Sequence, residues 1–468
     1  MVAVPLGRGA YKRDDGLVPE VQCLNMFIEQ DLSGLSPDGF LRIQRPGTEV
    51  IQTLDEPYVR AFAIDPSDSA QYAVAGSDLY RDGVSVGTMY YLEQQESGPP
   101  IAYPYTDGMS RIVILTGRVA AMGSKTNPRS PNVFLWDGAT FAELVLPDDA
   151  PPGIVDIEQL NGYLIILCAN GRFYWLAPEE TAIDPLNFAT AESFNDGANA
   201  VRQVGSEFWI FGTRSIEPWQ ATGDFTLPFQ PATGRVIPHG CLDGLTAQRF
   251  DNTIVWVGDD ANVYRGGGVA EVISTSGISE RIRKRDLLSY MSAWTFSVDG
   301  HTFYLLRIPN QGTFAYDAAT REWSKWASAG STQFLPWVGD SFGGEVFAGL
   351  SSAGSVVRVN PIQSGDNAVP FLRVITATVP VMGRPPRNDS LSVGVGASAD
   401  TICRIRYRDG QEDYPEDYYD ELEVRAPFDV VSMYRLGQPQ QPYREIEVSF
   451  TGIERVRVAG CTANSSWQ

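Results

Sequence analysis

Histidine is nearly missing from this chain: His239 and His301 are the only two in 468 residues. That leaves few options for a histidine general base and weighs against histidine-held zinc or iron. Cysteine is sparse too. Cys23, Cys168, Cys241, Cys403 and Cys461 are odd in number, scattered and without a CxxC pair, so free thiols in a reducing compartment are expected, not a disulfide frame or a zinc knuckle. Positive charge is in deficit, with 36 Lys and Arg against 57 Asp and Glu and a net charge of −21. This is the wrong sign for a protein that grips phosphate backbones; it favours solubility and basic partners. No stretch approaches the ~18 apolar residues of a membrane helix. The opening Met1-Val-Ala-Val-Pro-Leu-Gly-Arg-Gly-Ala10 lacks an apolar core, so no secretory signal is expected.

What is abundant is turn and strand material. There are 45 Gly and 31 Pro residues within a chain that is 43% hydrophobic and 11% aromatic, a composition that fits many short strands. One unit recurs: an apolar or aromatic strand, a Gly/Asn/Asp turn, and a second strand closing on an aromatic. Copies begin at Tyr72, Ile112, Leu164, Phe208, Ile254, Phe303 and Val346, at intervals of 40 to 52 residues. Asn-Gly and Asp-Gly between β-branched runs accept the positive φ of tight hairpins. A period of ~40–50 residues is that of a β-propeller blade. The sequence therefore predicts an all-β protein with a propeller of six or seven blades. A large β-sandwich with evenly spaced hairpins is the alternative.

Two regions break the rhythm. From about Phe371 the pattern turns to strict alternation, as in Ile402-Cys-Arg-Ile-Arg-Tyr407 and Glu445-Ile-Glu-Val-Ser-Phe450, which describes strands with one wet face and one buried face. The organisation expected is an extended N-terminal arm over residues 1–50, a propeller over 51–365, a linker around Asn360–Pro370, and an appended β-sandwich-like domain over 371–468. Ser279–Met291 reads as a helix with Ser279 at the N-cap and Ile282, Leu287, Leu288 and Met291 on one face.

Motifs that carry chemistry are few. Gly83-Val-Ser85-Val-Gly87 matches the GxSxG spacing, but its flanks spell a hairpin and not the strand–turn–helix that a nucleophile elbow needs. Gly123-Ser-Lys-Thr126 lacks the glycine spacing of a phosphate loop. Ser297-Val-Asp-Gly-His-Thr-Phe303 is one residue short of a sialidase Asp box and occurs once. No catalytic, metal or cofactor site is expected. Two charge clusters remain as contact candidates: the basic Arg281, Arg283, Lys284 and Arg285, and the acidic, tyrosine-rich Glu412, Asp413, Tyr414, Glu416, Asp417, Tyr418 and Tyr419. Each also reads as a solvated face or loop.

Taken in order, several stretches resemble the tail-hub proteins of short-tailed bacteriophages (podoviruses), also called nozzle or packaged-DNA stabilisation proteins. They are Leu24-Asn-Met-Phe27 with Gly39-Phe-Leu-Arg42 and Arg45-Pro-Gly47; Phe208-Trp-Ile-Phe-Gly-Thr-Arg-Ser-Ile-Glu-Pro-Trp-Gln-Ala-Thr-Gly223; Asp251–Gly258 with Val263-Tyr-Arg265 and Val272-Ile-Ser-Thr275; and Gly300–Leu306 with Ala315–Trp323. The likeness spans most of residues 20–360. After 370 only the style matches. The resemblance implies a structural virion protein, not an enzyme. It would be a homo-hexamer in the virion tail, below the portal-bound adaptor ring, made in the bacterial host cytoplasm. It would retain the packaged genome, open for ejection, and contact tail fibre or spike and needle or tip proteins. Double-stranded DNA would pass through its channel without sequence-specific binding, and an acidic lumen would let it slide. The rival readings are a propeller glycan hydrolase or lyase, which needs paired carboxylates in a central pocket, and a ligand-binding propeller scaffold.

Overall fold

The computed structural model describes residues 2–4, 6–10, 21–89, 101–105, 111–115, 133–151, 153–192, 196–266, 269–381, 387–410, 419–440 and 442–466. Its strands begin and end where the turn chemistry dictates. Asp82-Gly83, Asn161-Gly162 and Asp299-Gly300 each have positive φ at both residues (49° and 83°, 52° and 83°, 50° and 81°). Tight two-residue turns need that geometry, and its twist matches that of the strands it joins.

Among the described residues these hairpins build seven four-stranded antiparallel units arranged in sequence order. Their first strands are Val59–Ile64, Ile101–Tyr105, Ile154–Leu160, Ala198–Val204, Gln248–Phe250, Ser292–Val298 and Pro336–Phe342. Each first strand touches those of its two neighbours, and the seventh touches the first. The circuit is closed. The architecture is a seven-bladed β-propeller, which decides between six and seven.

The strand period explains why each blade is apolar on both faces. In the second blade Ile112 and Ile114 pack with Tyr72 and Val74 of the first. Val113 and Leu115, between them, pack with Ile157 and Leu164 of the third. Successive residues point to opposite faces, so a run such as Arg111–Leu115, buried throughout, serves two interfaces at once. Similar clusters join every other neighbouring pair.

The seventh blade takes its outer strand from far away in sequence. Gly47–Thr53 pairs with Ser355–Asn360, Val50 lying opposite Val357. The chain then runs straight into blade one, with the Leu54 N–H donating to the Gly354 carbonyl at 2.5 Å. Gly354 is required here, because a Cβ would lie 1.9 Å from the Glu56 carbonyl oxygen.

The remaining strands form a sandwich. One sheet has the order Met26–Gln30, Phe40–Gln44, Val456–Ser466, Arg387–Ala397 and Phe428–Gly437, with Val2–Val4 also paired to Val456–Ser466. The other runs Cys23–Leu24, Arg373–Pro380, Tyr443–Phe450, Thr401–Asp409 and Asp420–Val424. Between them lies a core that includes Leu6, Met26, Ile375, Val393, Ile405, Ile446 and Val458. Leu24 also pairs in parallel with Lys325 on the outer strand of blade six, so one sheet continues from the propeller into the sandwich.

Three expectations need correction. Residues 1–50 are not an extended arm: their described parts supply strands to both sheets of the sandwich and the start of the strand that closes blade seven. Such strands are two to seven residues long, and apart from the local pair Met26–Gln30 and Phe40–Gln44 they gain their partners across about 300 residues or more, so no repeating local period reveals them. The linker is structured as well, since Gly365–Asp366 and Val369–Pro370 pair with each other and Asp366 pairs with Thr48. The helix covers Ser276–Arg283, with Thr275 at the N-cap and Ser279 inside it. Ile278, Ile282 and Met291 are buried, but Leu287 and Leu288 are exposed. The Asp286 carboxylate accepts from the Leu288 N–H and the Ser289 hydroxyl at 3.0 and 2.9 Å, a local bonding pattern that competes with helix.

Candidate interaction sites

The basic cluster is largely spent on local contacts. Arg281 lies over the Phe314 ring at 5.1 Å, Lys284 is paired with Glu280 at 2.9 Å, and Arg285 donates to the Ile282 carbonyl at 2.9 Å. Arg283 stands exposed in the last helical turn. Of the acidic cluster, Glu412, Asp413, Tyr414, Glu416, Asp417 and Tyr418 lie outside the described residues. Tyr419 is half-exposed, and the Arg404 guanidinium sits 4.1 Å from its ring centre.

The sequence motifs resolve into structure. Ser85 lies on the outer strand Val84–Thr88, next to the Asp82-Gly83 turn. Ser297 and Thr302 face each other across a hairpin with their hydroxyls 2.8 Å apart. Gly123–Thr126 lies outside the described residues. No group of three or more His, Cys, Asp or Glu side chains converges as a metal cluster among the described residues. Burial lifts the Cys23, Cys168 and Cys403 thiols to about 12, which suits packing and not nucleophilic chemistry.

Inner-strand carboxylates tie blade to blade. Asp156 of blade three accepts from the Val201 N–H at 2.9 Å and from the Arg202 guanidinium at 2.5 Å in blade four. Glu158 accepts from the Gln203 N–H at 2.9 Å and from Arg249 of blade five at 2.6 Å. Asp340 of blade seven accepts from the Ile64 N–H of blade one at 3.0 Å. Asp156, Glu158 and Asp340 are thus each engaged by a neighbouring blade.

Near the propeller's edge with the sandwich, His301 places Nδ1 2.8 Å from an Asp317 carboxylate oxygen, and its ring meets Phe27 at 4.9 Å. Burial pushes the His301 pKa down, but the hydrogen bond and charge of Asp317, with Glu29 and Asp299, outweigh it and the net shift is upward from 6.5. A raised folded-state pKa gives stability that is fully present below the unfolded value and is lost as pH rises through the folded one. The propeller's thermal midpoint is therefore expected to fall as pH rises from about 6.5. His301→Gln should flatten that dependence in a pH series of melting curves; an unchanged slope would remove His301 as its source.

Two surfaces stand out. On the sandwich, Phe428, Val430 and Tyr434 are exposed on one side of the strand Phe428–Gly437, while Val431 and Met433 between them are buried. Gly396, Gly394 and Ser390 lie opposite them on the neighbouring strand. The result is a flat apolar face, bounded by a groove of about 880 Å³ that Leu32, Leu35, Phe428 and Arg457 help to line. On the propeller, a cavity of about 550 Å³ opens where the first strands of blades one, six and seven begin, with Tyr58, Arg60, Tyr290, Arg307 and Trp337 in its wall. Sequence reasoning missed these residues. The one available signal was Arg60, an arginine inside the otherwise apolar, fully buried run Val59–Ile64.

Comparison with known proteins agrees with this architecture. Residues 2–342 match the sequence model of one family, described as "Phage_stabilise: Bacteriophage P22 Gp10, beta-propeller". No curated protein sequence matches the chain. Among solved structures it is similar to the WD40 β-propeller domain of Doa1, at 12% identity and a TM-score of 0.42, over 67% of this chain and 96% of that one. It is also similar to the extracellular domain of the hybrid two-component system BT3049 from B. thetaiotaomicron, at 11% identity and a TM-score of 0.46, over 90% of this chain and 60% of that one. At such scores these two likenesses carry no argument. The propeller rests on the closed circuit of blades and on the family match.

Proposed function

The chain belongs to the Phage_stabilise family of β-propellers, and from that membership we propose that it acts as a structural tail-hub protein, a virion component that stabilises packaged DNA. In this reading six copies form a ring beneath a portal-bound adaptor, retain the genome and open for ejection. Fibre or spike and needle or tip proteins attach to the ring, which is assembled from chains made in the host cytoplasm. The observation that carries the reading is the family match over residues 2–342, joined to a propeller whose inner carboxylates are committed to holding blades together. A net charge of −21 supports a DNA passage that repels phosphate and does not hold it.

Ring assembly needs a self-complementary or head-to-tail surface. The sandwich face of Phe428, Val430 and Tyr434 supplies apolar area of the kind that subunit contacts bury. It is favoured over the helix cluster, whose cations are mostly occupied. Native mass spectrometry of the purified chain, alone and with its portal–adaptor complex, is expected to give a six-copy assembly. The Phe428→Asp, Val430→Asp double variant should leave the circular dichroism unchanged and release monomers. A wild-type chain that stays monomeric even on the adaptor would overturn the hexamer. A double variant that still assembles would move the contact elsewhere.

A further inference from the structure

We propose that the cavity at the mouth of blades one, six and seven is an anion-binding site for a small phosphate- or carboxylate-bearing ligand, its oxyanion held by Arg60 and Arg307. Two cations line this cavity and no carboxylate does. Arg60 is 7% exposed, and the hydrogen bond it makes is to the Gly76 carbonyl at 3.2 Å. Arg307 lies against the Trp337 ring at 5.4 Å. Neither guanidinium has an ion-pair partner among the described residues. In a chain with 57 acidic residues, leaving two half-desolvated arginines together without one is unusual, since buried charges are ordinarily paired.

Backbone bulges, which blades three and four share, place Arg60 and Trp337 in the wall. In blades one and seven the pairing of the first strand slips by one residue, between Val59 and Ala61 and between Pro336 and Val338. The extra residues are Arg60 and Trp337. A bulge turns its unpaired side chain out of the regular alternation, and here both enter the same cavity wall. Trp337 is fixed further by its indole N–H, which donates to the Val59 carbonyl at 2.7 Å.

The Tyr290 phenol completes the group. Burial raises its pKa, while the charges of Arg307 and Arg60 act to lower it, so both guanidiniums lie close enough to act on one hydroxyl. Burial likewise disfavours the charge on Arg60 and on Arg307, a cost that an entering oxyanion relieves. Guanidinium forks match carboxylate and phosphate oxygens in pairs. A cavity of about 550 Å³ is the size of a small-molecule site, and the aromatic wall suits a ligand carrying a flat ring.

Isothermal titration of the full-length protein with inorganic phosphate, a nucleoside monophosphate and citrate tests this. At least one should bind saturably, once per chain, and raise the thermal midpoint. Equal affinity for phosphate and nucleotide would mean that the oxyanion alone is read; tighter nucleotide binding would assign a part to the rings; citrate alone would identify a carboxylate ligand. Arg307→Gln, at a partly exposed position, is expected to weaken binding at least tenfold while its melting curve without ligand stays close to wild type. Arg60→Met should do the same, and Lys284→Gln, outside the cavity, should bind as wild type does. The proposal is overturned if none of the three anions binds below millimolar concentration, or if Arg307→Gln binds with wild-type affinity.

Discussion

Arg45→Ala is expected to lower the propeller's thermal midpoint by roughly 5–10 °C, the equivalent of about 3–5 kcal/mol for removing one partner of a buried ion pair. Arg45 is fully buried and every donor on its guanidinium is used. Nε donates to the Asn25 side-chain oxygen at 2.9 Å, and Nη1 and Nη2 donate to the Asp366 carboxylate at 3.0 and 2.7 Å. They also reach the carbonyls of Pro46 and Ala327 at 2.7 and 2.8 Å. The plane stacks on Phe371 at 3.8 Å and on Phe334 at 4.7 Å.

These partners come from four parts of the chain: the N-terminal strands, the exit from blade six, the hairpin between the domains, and the entry to the sandwich. Alanine would strand the Asp366 carboxylate and release all four at once. Arg45→Lys is expected to recover little, because a single ammonium cannot copy the fork. The half-exposed pair Arg81 and Asp68, at 2.5 Å, is the control: Arg81→Ala should cost under about 1 kcal/mol. A melting curve of Arg45→Ala that matches that of Arg81→Ala would show that this junction does not hold the two domains together.

The blades were legible in the sequence because their information is local. A turn such as Asn161-Gly162 and the apolar runs beside it sit within about ten residues of one another, and the same arrangement repeats. The blade count was not legible, because blade two splits its hairpins across a long insertion and blade seven borrows a strand. The N-terminal strands are hidden for the same reason: Cys23–Leu24 is a strand only because Arg373–Pro380 and Trp323–Trp326 flank it. At the sites, the basic residues after Ser279 drew notice as a run, whereas Arg60 and Arg307 are lone residues on separate blades. Their proximity depends on ring closure and on the bulge at Arg60, neither of which has a spacing that can be counted.

Removing residues 1–53 is expected to abolish folding of the whole chain, although it leaves untouched all of the hairpins that the sequence announces. The loss takes the outer strand of blade seven and exposes the edge of Ser355–Asn360. It also strips Met26–Gln30 and Phe40–Gln44 from one sandwich sheet and Cys23–Leu24 from the other, which breaks the strand bridge to blade six. Val4, Leu6, Met26, Phe27 and Ile28 are all buried. At ~1.5–3 kcal/mol for each such side chain, their removal is comparable to the ~5–15 kcal/mol that holds a typical protein folded. Open strand edges then favour association over refolding. The truncated chain should elute in the void volume with its near-ultraviolet circular dichroism lost. Adding the segment back as a separate peptide should not rescue it, because the strands must enter three sheets at once. A soluble, monodisperse truncation that keeps the native tryptophan signal would mean that the ring of blades closes on itself without its borrowed strand.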